Sequence, residues 1–189
     1  FAVFIYRPAQ TSLSTIILLA GVAGMSLNLI LLFMMQNLFG YVYEGMGLAL
    51  AAFMSGLAMA ASAARKIKRQ PAIWLTGMVV LLMELLLSLE TTLHALDRYR
   101  SMPMLIALLF VSGSLTGVLF PLAGQLYSRP DGSRQTGFLY AADLAGGAIG
   151  AILISGAVIP LYGYNGAGQL LSAAGMALFI LALVLLRRH

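Results

Sequence analysis

The sequence predicts an all-α integral membrane protein, a six-transmembrane-helix bundle, on three observations. Six charge-poor apolar stretches fill most of the 189 residues. The connections between them are short and carry Gly and Pro breakers. Basic residues fall almost entirely on alternate connections. Composition points the same way. With 61% hydrophobic residues, 9% charged and a mean hydropathy of +0.95, a soluble domain of this size would lack the polar surface that keeps it dispersed.

A hydrocarbon core of about 30 Å takes about 20 helical residues at about 1.5 Å each, which sets the length of each expected span. Residues 1–8 are apolar but too short to cross, and they read as the tail of an upstream element. They are not a signal peptide, since no basic start precedes a core and cleavage site. The first span is 11–33, a charge-free run. Gly40 and Gly45 separate it from the second, 46–64. The third, 72–93, opens at Gln70 and Pro71, and the fourth, 102–126, at Ser101 and Pro103. Pro130, Asp131 and Gly132 precede the fifth, 136–160, and the turn 163–166 precedes the sixth, 168–186. Links this short force antiparallel neighbours, and the whole of 1–189 reads as one transmembrane domain.

Lys and Arg resist translocation, so their distribution gives an orientation. Nine lie on one side: Arg7, Arg65, Lys66, Lys68, Arg69, Arg129, Arg134, Arg187 and Arg188. Only Arg98 and Arg100 lie on the other, beside Asp97. Both termini are therefore expected in the cytoplasm. Aromatic residues agree, with Tyr6, Trp74, Tyr127 and Tyr140 near one interface and Tyr41, Tyr43, Tyr99, Tyr162 and Tyr164 near the other. The net charge of +5 invites a nucleic-acid reading. The basic loop Arg65, Lys66, Lys68 and Arg69 is better explained as a cytoplasmic topogenic loop on anionic headgroups, so no nucleic-acid partner is expected.

In lipid, apolar burial gives helices little reason to associate, and close contact depends on small residues that let backbones approach. The second span carries Gly56, Ala60 and Ala64, the fourth Gly113 and Gly117, and the fifth Ala142, Gly146 and Gly150. These rows are read as contacts within the bundle, ahead of a face for pairing with a second copy. Pro121 should kink the fourth helix, with Ser112, Ser114 and Thr116 available to bond nearby carbonyls.

Polar groups inside the spans are the candidate site, because an ionisable group at membrane depth is costly unless it meets the bundle interior, a partner or water. Glu84 lies within the third span and Asp143 about two turns into the fifth. Asn28 and Gln36 are eight residues apart on one face of the first helix; Asn37 and Glu90 lie towards the outer ends. Glu84 and Asp143 read as a proton or cation site, or as anchors for a cationic substrate. The plainer reading makes Asp143 a helix-start acid and Glu84 an interhelical contact.

Other chemistry is narrow. The chain has no Cys, and its two histidines, His94 and His189, lie on an outer loop and at the terminus. No cofactor, metal site or catalytic motif is expected within these residues. Gly146, Gly147 and Gly150 sit in an apolar helix, where they serve packing and not phosphate binding.

The stretch Phe33-Met34-Met35-Gln36-Asn37-Leu38-Phe39-Gly40-Tyr41-Val42-Tyr43, followed by Ala52-Phe53-Met54-Ser55-Gly56-Leu57-Ala58, resembles the membrane-embedded, transporter-like domain of bacterial polytopic spermidine-synthase-like proteins. So does Gly137-Phe138-Leu139-Tyr140-Ala141-Ala142-Asp143-Leu144-Ala145-Gly146-Gly147-Ala148-Ile149-Gly150-Ala151, running on to Ile159-Pro160-Leu161-Tyr162-Gly163. The resemblance implies residence in the bacterial inner membrane, a bundle like half of a major-facilitator-type fold, and a soluble aminopropyltransferase-like domain joined to it. That domain is not in these residues. Where the resemblance leads one to expect a glutamate in the first helix, this chain has Asn28, which holds no fixed charge; Asp143 fits the pattern.

Three readings follow. The first is a non-catalytic membrane module that anchors or scaffolds a fused soluble domain or other subunits of a complex. The second is a half-transporter for a small cation or polyamine that pairs with a second copy. The third is the embedded part of a membrane-tethered aminopropyltransferase. All three place the chain in the lipid bilayer.

Overall fold

The computed structural model describes residues 8–40, 44–67, 69–127 and 132–186, and they are helical almost throughout. The helices are α1 (Pro8–Phe39), α2 (Glu44–Ala64), α3 (Pro71–Leu87), α4 (Leu89–Tyr99), α5 (Met102–Tyr127), α6 (Gly132–Leu153) and α7 (Ile159–Leu186), with a π-helical turn, Ile154–Val158, joining α6 to α7. Among the described residues, four helices are long and apolar enough to cross a membrane: Leu13–Phe39, Gly45–Ala64, Met102–Leu126 and Thr136–Gly163. Counting α3 and α4 as one bent span makes five. The expected sixth, 168–186, is helical within α7.

Helix ends follow local chemistry. α1 stops at Gly40, whose positive φ of 67° suits the residue after a helix and whose N–H donates to the Gln36 carbonyl at 2.9 Å. Pro71 opens α3, where its missing N–H costs nothing. Gln125 Nε2 donates to the Ala64 carbonyl at 3.0 Å, so a side chain of α5 closes the end of α2.

Three expectations are corrected. The third span is not one helix over 72–93: it breaks at Ser88, and the helix beyond turns by 57°. Hydroxyls serve the carbonyls near the break. Ser88 Oγ donates to Leu85 O at 3.1 Å, Thr92 Oγ1 to Ser88 O at 2.7 Å, and Ser172 Oγ of α7 to Leu86 O at 3.4 Å. The polar outer loop expected before Ser101 is thus largely α4, an amphipathic helix that buries Leu89, Leu93 and Leu96 at helical spacing. Second, the fifth span does not end at Pro160. The proline has no N–H and its ring crowds the carbonyl four residues back; the preceding turn widens, with Ile159 N–H bonded to Ile154 O, and the helix continues. Third, the turn expected over 163–166 is a break at one residue. Gly163 adopts φ 65° and ψ −163°, which only glycine takes without strain.

α5 runs through Pro121 as a single helix. Its hydroxyls bond carbonyls of their own helix: Ser112 Oγ to Leu109 O at 2.9 Å, Ser114 Oγ to Phe110 O at 2.8 Å and Thr116 Oγ1 to Ser112 O at 2.5 Å.

Packing centres on α1, 67% of whose apolar stretch is buried against 17% in α2. The most intimate pairs are α2 with α5 and α1 with α6; α3 packs on α7 and α5, and α1 also on α5 and α7. Both intimate pairs are built on bare glycine backbone. A Cβ at Gly146 would overlap the Leu18 carbonyl, and one at Gly150 would stand 2.5 Å from Val22 O. A Cβ at Gly113 would overlap the Phe53 carbonyl, and one at Gly117 would stand 2.5 Å from Leu57 O. The contacts advance together along both chains, so α1 runs parallel to α6 and α2 parallel to α5. Gly56 and Gly21 complete the interlock from the other side, against Phe110 and Asp143.

Candidate functional site

Asp143 and Glu84 are the only acidic or basic residues in α3 and the four described membrane-length helices, and they belong to different helix pairs. Asp143 stands on α6 where α6 meets α1. Its Oδ1 lies 3.1 Å, and its backbone oxygen 2.6 Å, from the position a Cβ on Gly21 would take. The partly buried carboxylate therefore rests on the bare backbone of α1. The helix-start reading of this residue is corrected: α6 begins at Gly132, which leaves Asp143 three turns inside, beyond the first turn over which the helix dipole acts.

Glu84 stands on α3, a helix whose partners are α5 and α7. It is exposed on the outer surface of the bundle, with no hydrogen bond or ion pair among the described residues. The interhelical contact expected of it is not made. The interior-facing side of α3 is instead Leu75, Val79, Leu82 and Leu86. The two carboxylates do not converge on one site.

Asn28 is in the core, 2% exposed, and its Oδ1 has no hydrogen-bond partner among the described residues. It follows Gly24 by one turn, and Gly24 is pressed against the Thr116 side chain of α5. Asn28 also lies two turns beyond Gly21, the residue on which Asp143 rests, so the two are about 10 Å apart along α1. Gln36 donates from Nε2 to Met46 Sδ at 3.1 Å, tying the end of α1 to the start of α2. The four polar candidates fall at four separate places. Of the outer polar residues, Asn37 is exposed, and the side chain of Glu90 lies outside the description.

Arg65, Lys66 and Arg69 are exposed on the connection after α2, beside the exposed Trp74 and Ile73 at the start of α3. Lys68, the link 128–131 and residues 187–189 lie outside the described residues.

Sequence reasoning passed over several groups. Ser14 and Ser26 are buried with Asn28, and Ser14 Oγ also lacks a partner among the described residues. Gln125, which caps α2, gave no sequence signal, because its acceptor is 61 residues away. A groove of about 310 Å³ lies between α3 and α7, with Leu86, Leu87 and Met176 on its apolar side and Gln169 and Ser172 on its polar side. The spacing of Leu89, Leu93 and Leu96 was the available signal for α4.

No family model, curated protein or solved structure matches the chain.

Proposed function

We propose that this chain is a non-catalytic membrane module that anchors or scaffolds other polypeptides, whether a fused soluble domain or separate subunits of a complex. The observation that carries the reading is the way the bundle is closed. α1 and α6, and α2 and α5, meet backbone to backbone, and the buried core is predominantly apolar, with Ile16, Ile17, Leu27 and Leu31 fully buried. The two intramembrane carboxylates lie on separate helix pairs, so they frame no common path. A rigid bundle of this kind holds attached parts at fixed geometry. It sits in the bacterial inner membrane, crossing six times with both termini and the Arg65–Lys66–Arg69 loop in the cytoplasm. Gentle detergent purification tests it: a stoichiometric companion, or a soluble domain encoded downstream of His189, is expected, and a chain that migrates alone without either removes the reading.

One observation favours a second reading, a half-transporter. Exchanging the first three crossings with the last three turns the α1–α6 pair into α5–α2 and the α3–α5 pair into α7–α1, and both members of each exchange are in contact. This repeat supports likeness to half of a major-facilitator-type bundle. On that reading Asp143, against α1, carries the cation or polyamine. Flux through reconstituted vesicles that is unchanged by Asp143→Asn would end it. The embedded part of an aminopropyltransferase is the form the scaffold takes if the downstream domain has that chemistry.

A further inference from the structure

We infer that the outward face of α3 around Glu84, together with the adjoining α3–α7 groove, is the docking surface for a transmembrane helix of a different polypeptide that carries a basic side chain at the depth of Glu84. The inference rests on the scaffold reading and names where the partner binds.

Glu84 is the only charged side chain exposed in α3 and the four described membrane-length helices. It lies thirteen residues beyond Pro71, about 20 Å along α3 and thus inside a hydrocarbon core of about 30 Å. Leu81 and Leu87, one turn to either side, are 50% and 43% exposed, so the carboxylate is set in a lipid-depth apolar face. A carboxylate there is costly unless something pairs with it, and no described residue of this chain does. A carboxylate accepts hydrogen bonds through both oxygens, so a cationic donor is the partner that suits it.

The groove is the second, independent observation. It begins at Leu87, one turn from Glu84, where the helix break at Ser88 carries α4 away by 57°. Its α7 wall offers Gly168, Ser172 and Ala173, small residues that let another backbone approach, and the exposed amide of Gln169. Shape and polarity suit a helix better than acyl chains, which use neither the amide nor the carboxylate.

The charge inventory chooses the occupant. α3 and the four membrane-length helices hold no Lys, Arg or His, and the nearest cationic residues on the same bent span, His94 and Arg98, lie ten and fourteen residues beyond Glu84, past the break at Ser88. A second copy therefore brings no cation to the depth of Glu84, and the complementary charge comes from another chain.

The test places a photoreactive amino acid at Gln169 in the full chain, in native membranes, with the same probe at the exposed Ile152 as the comparison site. Expected is an adduct from Gln169 with a membrane protein whose spanning helix holds Lys, Arg or His at that level. Glu84→Lys should lower its yield about tenfold or more, and Glu84→Gln, which preserves shape and insertion, should lower it severalfold. Replacing the partner's donor by Glu should restore the Glu84→Lys adduct. Adducts with lipid alone, adducts with the same chain, or a yield indifferent to both Glu84 variants overturn the inference. A companion that crosslinks only from Ile152 ends this docking surface and leaves the scaffold reading standing. No companion in either crosslinking or purification ends both.

Discussion

Placing a single methyl group on Gly150 tests the packing on which the fold rests. A Cβ there would stand 2.5 Å from the Val22 carbonyl oxygen and 2.9 Å from Ser26 Oγ, where ordinary contact begins at 3.4 Å. Relief requires α1 and α6 to part by about 0.9 Å, and a gap of that size forfeits about a quarter to a half of the attraction of each affected atom pair. Overpacking of this kind costs about 1–3 kcal/mol. Alanine recovers part of that, up to about 1 kcal/mol, as the better helix former. Gly150→Ala is therefore expected to destabilise by about 1–2 kcal/mol, a factor of about 5 to 30 in the folded ratio. Reversible unfolding of the protein in mild detergent titrated with dodecyl sulfate reads this directly. Gly77→Ala is the control, since nothing lies within 4 Å of its Cβ position, and it should gain about 0.5–1 kcal/mol. Gly21→Ala, on the facing helix, should cost less in the Gly150→Ala background than alone, because the helices have already parted. Equal shifts for Gly150→Ala and Gly77→Ala would refute the interlock.

Other outcomes follow from the same geometry. Asn28→Leu removes a buried acceptor that has no donor among the described residues, and should stabilise the bundle by about 1 kcal/mol or more in the same unfolding titration; a loss would show that Oδ1 is served by an ordered water. Gln125→Leu should cost about 0.5–1.5 kcal/mol and speed amide exchange at the end of α2, because the Ala64 carbonyl loses one of its two donors and keeps only the Ile67 N–H at 3.1 Å. The absence of native cysteine makes single-cysteine labelling clean. Intact cells treated with an impermeant maleimide should label Thr91→Cys and Asp97→Cys on the exposed side of α4, spare Leu93→Cys and Leu96→Cys on its buried side, and reach Lys66→Cys only after the membrane is opened. Labelling of Lys66→Cys in intact cells would reverse the proposed orientation.

The site was legible in part. An Asp and a Glu in apolar runs are conspicuous by type, and both were found. Their surroundings were not, because exposure of Glu84 and the seat of Asp143 on Gly21 depend on rotation of α3 and α6 about their own axes. α4 was hidden for a different reason: Ser88 is an unremarkable residue in a helical run, and the break there is held by hydroxyls from Ser88, Thr92 and the distant Ser172. Pro160 is a strong stop signal, yet a widened turn absorbed it at the cost of one backbone bond.

What the sequence determined by itself is the solvent and the approximate extent of the helices. Both follow from transfer free energy summed over some twenty residues, a quantity large enough to outvote local detail. The tertiary structure alone decided which faces meet. Side chains that are apolar all round gain nothing by choosing a helix over a lipid tail, so hydropathy cannot tell the inside of the bundle from its outside. That choice fell to backbone contacts about an ångström too close to admit a Cβ at Gly21, Gly146 and Gly150, and at Gly56, Gly113 and Gly117, between segments far apart along the chain.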